Sequence, residues 1–192
     1  MSDRPSQQDL VRRAVIYNGL RQRDTAEIDV RVERYFRAEH HPIVPNSWFA
    51  PASSECIGLF SDGYFYGCIS QCQAVGEALI RFMCQCNKFR PESDFEENVR
   101  LLKQRKFIDD KFENLCSCLW KGRHDYHHMN RGVETDKQRL EQMALTKIRT
   151  LAELEKWVFQ YSDTHGCITP KWPKYWPESK DGKYQVYLRL SP

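Results

Sequence analysis

No run in this sequence approaches the roughly 20 consecutive apolar residues that span a bilayer. The first eight residues, Met1 to Gln8, also lack the apolar core of an export signal. These absences argue against a membrane protein and set the expectation of a cytoplasmic address with no membrane partner. Nor is one sign of charge in excess: 29 Lys and Arg stand against 26 Asp and Glu, a formal net charge of +3. The surface as a whole is therefore no trap for polyanions, and affinity for nucleic acid would have to come from a local patch. There is no internal repeat and no low-complexity tract.

What is present is the composition of a globular protein. The 192 residues, 41% hydrophobic and 29% charged, suffice for one domain with a real core plus extensions and are too few for two full-sized domains. Eight cysteines would suggest a disulfide framework in a small secreted protein. Without an export signal they are expected to be reduced. Cys68 and Cys72 stand four apart and share a helix face with Tyr64, Val75 and Leu79, the pattern of small core residues.

Hydrophobic spacing divides the chain into three parts. Residues 1–46 read as an N-terminal extension, with Leu10, Val11, Ala14, Val15 and Tyr17 periodic, followed by a segment that fits two patterns. Ile28, Val30 and Val32 alternate as in a strand, while Ile28, Val32 and Phe36 are spaced as on a helix. His41-Pro42 and Val44-Pro45 close the segment. Residues 47–161 carry the helical patterns. A short helix over Ala50 to Phe60 is broken at Ser61-Asp62-Gly63, and a long one follows through Tyr64, Cys68, Cys72, Val75, Leu79, Phe82 and Cys86, buried on more than one side. Phe95, Val99 and Leu102 begin another run, and Ile108, Phe112, Leu115 and Leu119 carry a helix straight toward Trp120 and Arg123, so that the charged segment there sits at or just beyond a helix end. Thr135-Asp136-Lys137-Gln138 fits a capping box that opens a last long helix through Leu140, Ala144, Ile148, Leu151, Leu154, Val158 and Tyr161. Residues 162–192 form a C-terminal arm: Pro170, Pro173 and Pro177 exclude a long helix, and Tyr184, Val186, Leu188 and Leu190 alternate as in a final strand. The expected class is all-α, a helical bundle with an N-terminal extension and a short irregular or β arm.

The chemistry is concentrated in Arg123-His124-Asp125-Tyr126-His127-His128. A histidine titrating near neutrality can take a proton from a nucleophile or give one to a leaving group, and an always-charged arginine can fork a phosphate. RNA brings its own nucleophile, the 2′-hydroxyl, so this inventory suffices for phosphodiester cleavage without a metal, a cofactor or a covalent intermediate.

The segment resembles the signature of the HEPN superfamily: an arginine, a polar residue, three variable residues and a histidine, here Arg123, His124, Asp125-Tyr126-His127 and His128. The long helix from Gly63-Tyr64-Phe65 through Gly76-Glu77-Ala78-Leu79 is similar to that superfamily's second helix, including the acidic residue before a leucine. The resemblance covers roughly residues 48–161. His124 stands where asparagine is commoner, and His127 competes with His128 for the terminal role. The resemblance implies an antiparallel bundle, a homodimer whose two motifs share a cleft, and often a metal-independent endoribonuclease. Arg123, His128 and His124 are then the candidate catalytic residues, with Glu77, Asp125 and His127 in support and Glu77 orienting Arg123.

Other readings compete. Arg123 and the histidines would also suit the negative end of a helix dipole, and some members of the superfamily bind RNA or partners without cutting. The class-different alternative is accordingly a non-catalytic interaction module, the partner or sensor half of a two-component system. A zinc site of Cys116, Cys118, His124 and His128 is disfavoured, because residues two apart on a helix point about 200° apart. Lys103, Arg105, Lys106, Lys121 and Arg131 could line a phosphate track or simply form a solvated face. Trp172, Tyr175 and Trp176 could stack on bases or pin the arm to the domain.

Overall fold

A computed structural model describes residues 6–165 and 167–189. Seven α-helices occur among them: α1 Gln7–Ala38, α2 Ala50–Ser61, α3 Phe65–Cys86, α4 Phe95–Gln104, α5 Asp110–Trp120, α6 Arg123–His128 and α7 Lys137–Val158. Two small two-stranded antiparallel sheets complete the fold. β1 (Ile43–Pro45) pairs with β4 (Val186–Leu188), and β2 (Tyr161–Thr164) pairs with β3 (Cys167–Pro170). The protein is mostly helical, and among the described residues no helix is long and apolar enough to cross a membrane.

The core forms where the apolar stripes of α3 and α7 meet, with α2 and α5 packed alongside. α3 is buried around much of its girth: Cys68, Ile69, Cys72, Leu79, Ile80, Met83 and Cys84 have no exposure. Gly76 lets α5 approach closely, since a Cβ there would collide with Leu119 Cδ2. All eight cysteines are free. Five are buried, and burial pushes the Cys116 thiol up to about 12.

One open reading is resolved, and two expectations, both about α7, need correction. The ambiguous stretch around Ile28 is helical throughout, part of the 32-residue α1 that a Ser6–Asp9 capping box opens. α5 ends at Trp120, and Gly122, at φ 77°, turns the chain into the separate helix α6, so the charged segment lies just beyond a helix end. The cap of α7 sits one residue later than Thr135: Asp136 accepts from the Arg139 N–H at 2.9 Å, while Glu134 accepts from the backbone of Thr135 and Asp136. α7 also stops at Val158, short of Tyr161, which opens β2.

The described part of the arm is tied to the domain at several points. Tyr175 and Trp176 are buried against the core, and Trp172 stacks near Trp157 with ring centroids 6.1 Å apart, so these rings pin the arm and Tyr175 and Trp176 offer no platform for bases. In the last strand the expected faces are reversed. Val186 and Leu188 are exposed, whereas Tyr187 packs on the core and Arg189 is buried. Burying a guanidinium requires a partner, and Arg189 Nη2 meets Glu155 Oε1 of α7 at 2.6 Å and Ser53 Oγ of α2 at 2.5 Å. Leu190, the last member of the expected alternation, lies outside the described residues, as do Met1 to Pro5.

Candidate functional site

The Arg123–His128 segment is placed by what holds the end of α5. A helix leaves its last carbonyls without intrahelical partners. Here Lys147 of α7 supplies donors: its ammonium lies 2.6 Å from the Cys118 oxygen, 2.9 Å from that of Leu119 and 2.7 Å from that of Lys121. Gln73 of α3 adds its side-chain NH₂, 3.1 Å from the Leu119 oxygen and 3.3 Å from that of Lys121. Both residues are buried, and burial lowers the pKa of Lys147. The last turn of α5 is thus clamped from two sides, and α6 starts from a fixed point.

The first residue of α6, Arg123, projects toward α3. Its Nη2 lies 3.4 Å from Glu77 Oε2, and Glu77 Oε1 also pairs with Arg81 at 2.8 Å. The guanidinium lies over the Trp120 ring, 4.6 Å from its centroid, and Phe95 stacks on that ring at 4.0 Å. A carboxylate and an aromatic face therefore fix the orientation of the arginine.

Successive residues of a helix turn by about 100°, so residues four apart share a face. His127 accordingly lies on the same side as Arg123, half-buried toward α3. Burial, then the charges of Arg123 and His128, lower its pKa, while Glu77 and the backbone of Ser70 work the other way. His124 and His128 form the other pair, exposed and with ring centroids 4.8 Å apart. Tyr126 is buried and hydrogen-bonds Met143 and the backbone of Glu134. Asp125 receives the Asn130 side chain at 3.4 Å, so it shapes the loop after α6.

An open groove of about 650 Å³ runs beside this helix. Phe95 and Trp120 line it with Arg123 and His124, and Arg100 and Glu113 line it too. The structure thus brings Arg123, Glu77 and His127 together on one side and His124 and His128 together on the other, with Arg123 and His124 both at the groove. Of the five flanking cations, only Lys121 reaches it. Lys103 is paired with Asp110 and Glu113, and Arg105 lies over the Phe89 ring. Cys116 and Cys118 do not converge with the histidines, and among the described residues no three His, Cys, Asp or Glu side chains cluster as metal ligands.

Sequence reasoning missed Gln73 and Lys147, although a signal existed. Lys147 falls on the apolar stripe of α7, three residues after Ala144 and four before Leu151, where a solvated lysine would be out of place. The ion pair of Glu77 with Arg81 follows from their i,i+4 spacing on α3, whereas the partners of Trp120 could not be read from spacing. Comparisons with protein-family models, curated proteins and solved structures return no match.

Proposed function

We propose that the protein is an RNA-binding, metal-independent endoribonuclease of the HEPN kind, acting as a homodimer with the two α6 segments in a shared cleft. One observation carries the reading: the guanidinium of Arg123, oriented by Glu77 and Trp120, stands at an open groove with His124 beside it and His128 4.8 Å further on. Arg123 would hold the scissile phosphate. One histidine, His128, takes the proton from the 2′-hydroxyl; the 2′-oxygen attacks phosphorus; the bond to the 5′-oxygen breaks; and His124 protonates that leaving oxygen. The products are a 2′,3′-cyclic phosphate and a 5′-hydroxyl. Glu77 is a positioning residue, His127 supports Arg123 from the α3 side, and Asp125 shapes the adjoining loop. No cofactor enters this scheme.

A second reading, a helical interaction module without catalysis, has its own observation. The groove presents Glu96, Glu113 and Asp125 as well as Arg100, Lys121 and Arg123, so charge of both signs faces an incoming ligand, which suits a protein partner better than a polyanion. Incubation with a fluorescent RNA in EDTA separates the two. Cleavage lost in His128→Ala supports the nuclease, whereas intact RNA at every enzyme concentration leaves the interaction module.

A further inference from the structure

The six histidines of the chain are not equivalent. His40 packs on the Tyr35 ring, His41 lies against Tyr161 with its Nε2 3.4 Å from the Phe159 oxygen, and His127 turns toward Ser70 of α3. His124, His128 and His165 are exposed. Of these, His124 and His128 stand together. Their ring centroids are 4.8 Å apart at an interplanar angle of 54°, the one contact between two histidine rings among the described residues. Among those residues, neither ring has a hydrogen bond or an ion pair.

The spacing explains the pair. A helix turns by about 100° per residue, so positions 124 and 128, four apart on α6, are neighbours on one face. Tyr126 is buried and Arg123 is held by Glu77 on other sides of the helix, which leaves the histidine face in solvent. Two imidazoles so placed can share one metal ion, as histidines four apart on a helix do when they hold zinc. The separation can be set against coordination geometry. An ion about 2.0–2.1 Å from one nitrogen of each ring lies about 3.2 Å from each centroid, which puts the centroids about 4.5 Å apart for a right angle at the ion and about 5.2 Å for a tetrahedral one. The observed 4.8 Å falls between the two. Cys116 and Cys118 take no part: the first is buried, and the second lies against Thr150 of α7. Charge does not oppose a cation here, because Arg123 is tied to Glu77, while Glu113 and Asp125 line the groove with His124.

We propose that His124 and His128 form a two-imidazole chelate for a borderline first-row divalent ion, Zn²⁺, Ni²⁺ or Cu²⁺, with water in the remaining coordination positions. Mg²⁺ and Ca²⁺, hard ions that take oxygen ligands, do not suit it. The chelate stands apart from the ribonuclease reading, because binding is measured without RNA. Where both hold, the ion occupies nitrogens that would otherwise move the protons of cleavage, so it inhibits the reaction and EDTA relieves the inhibition.

Isothermal titration calorimetry of the untagged full chain with Ni²⁺ tests the proposal, with Mg²⁺ as the control ion and with the exposed thiols removed by Cys118→Ser and Cys167→Ser. The expected result is one Ni²⁺ per chain and no binding of Mg²⁺. The dissociation constant should rise at least tenfold in His124→Gln and in His128→Gln and stay unchanged in His165→Gln, with circular dichroism showing that each variant is folded. A chelate needs both rings, so a loss confined to one of the two variants overturns the proposal. Absence of binding, or binding that persists in the His124→Gln/His128→Gln double variant, overturns it as well. A chain that binds Ni²⁺ through both rings yet never cuts RNA upholds the chelate and removes only the ribonuclease.

Discussion

Arg123 Nη2 lies 3.4 Å from Glu77 Oε2, across the junction of α6 and α3. The same carboxylate holds Arg81 with its other oxygen, so it faces two guanidinium groups and cannot turn away from one without rearranging against the other. The relationship gives the acidic residue of the long helix a physical task, which is to fix the direction in which Arg123 presents its donors.

Glu77→Gln keeps the shape and removes the charge. If Glu77 positions Arg123, the variant should retain its melting temperature to within a few degrees while RNA cleavage falls about tenfold or more, since small displacements of an oriented group cost that much in rate. Comparing kcat and KM separates this from a folding defect. Unchanged cleavage would remove Glu77 from the site.

Lys147→Met tests the clamp on α5. The substitution leaves the buried carbonyl of Leu119 and the partly buried ones of Cys118 and Lys121 short of a donor, and it should destabilise the protein by about 1–3 kcal/mol. Urea denaturation is the measurement. An unchanged midpoint would mean that water or a shifted Gln73 takes over those bonds.

The seal of the C-terminal arm rests on Arg189 and Glu155. Arg189→Ala strands a carboxylate that is 1% exposed and should cost about 3–5 kcal/mol, far more than a surface ion pair. Replacing both residues by apolar ones should recover much of that loss. If the single variant melts like the wild type, the arm contributes little to the fold.

Acid should weaken the protein before it reaches the carboxylates. Burial lowers the pKa of His40 and His41, and of His127 with help from Arg123 and His128. Each is easier to protonate in the unfolded chain, so stability is full above about pH 6.5 and declines as pH falls below it. Against the upward push of burial, Arg34 and Arg37 hold Glu141 below its ordinary range, which adds a loss of the same sign at more acid pH. The melting temperature should therefore be lower at pH 5 than at pH 7.5, and less so when the three histidines are replaced by Gln. A flat or rising profile would contradict the burial of these rings.

Much of the helical frame was legible because its cause is local. The four-and-three spacing of Cys68 to Leu79 and of Leu140 to Val158 marks faces that α3 and α7 bury in the core, whereas Tyr64, which heads the first of these patterns, caps α3 and is exposed; Ser61-Asp62-Gly63 breaks α2 where Gly63 adopts φ 80°. α1 was ambiguous for the converse reason. Its apolar residues up to Val30 do not reach the core, so burial imposes no single period on them. The β1–β4 pair joins Val44 to Tyr187 across the whole chain, and three-residue strands carry too short a pattern to reveal that pairing. The reversed face of β4 has a specific reason: Arg189 goes inward because Glu155 waits there, and neither residue announces the other in sequence. At the site, the residues of α6 were legible as a cluster, but their division into an Arg123–His127 side and a His124–His128 side follows from the αL turn at Gly122, which sets where the short helix begins.

In the proposed mechanism Arg123 and His128 cleave RNA through its 2′-hydroxyl. The direct measurement is end-group analysis of a defined RNA incubated with the purified full chain in EDTA, alongside Arg123→Ala, His128→Ala and a substrate with one 2′-deoxyribose at the cleaved position. Wild-type protein should yield a 2′,3′-cyclic phosphate, each variant should lose on the order of a hundredfold or more in rate, and the deoxy substrate should resist. Cleavage that continues in the Arg123→Ala/His128→Ala double variant, or that stops when EDTA is added, would contradict it.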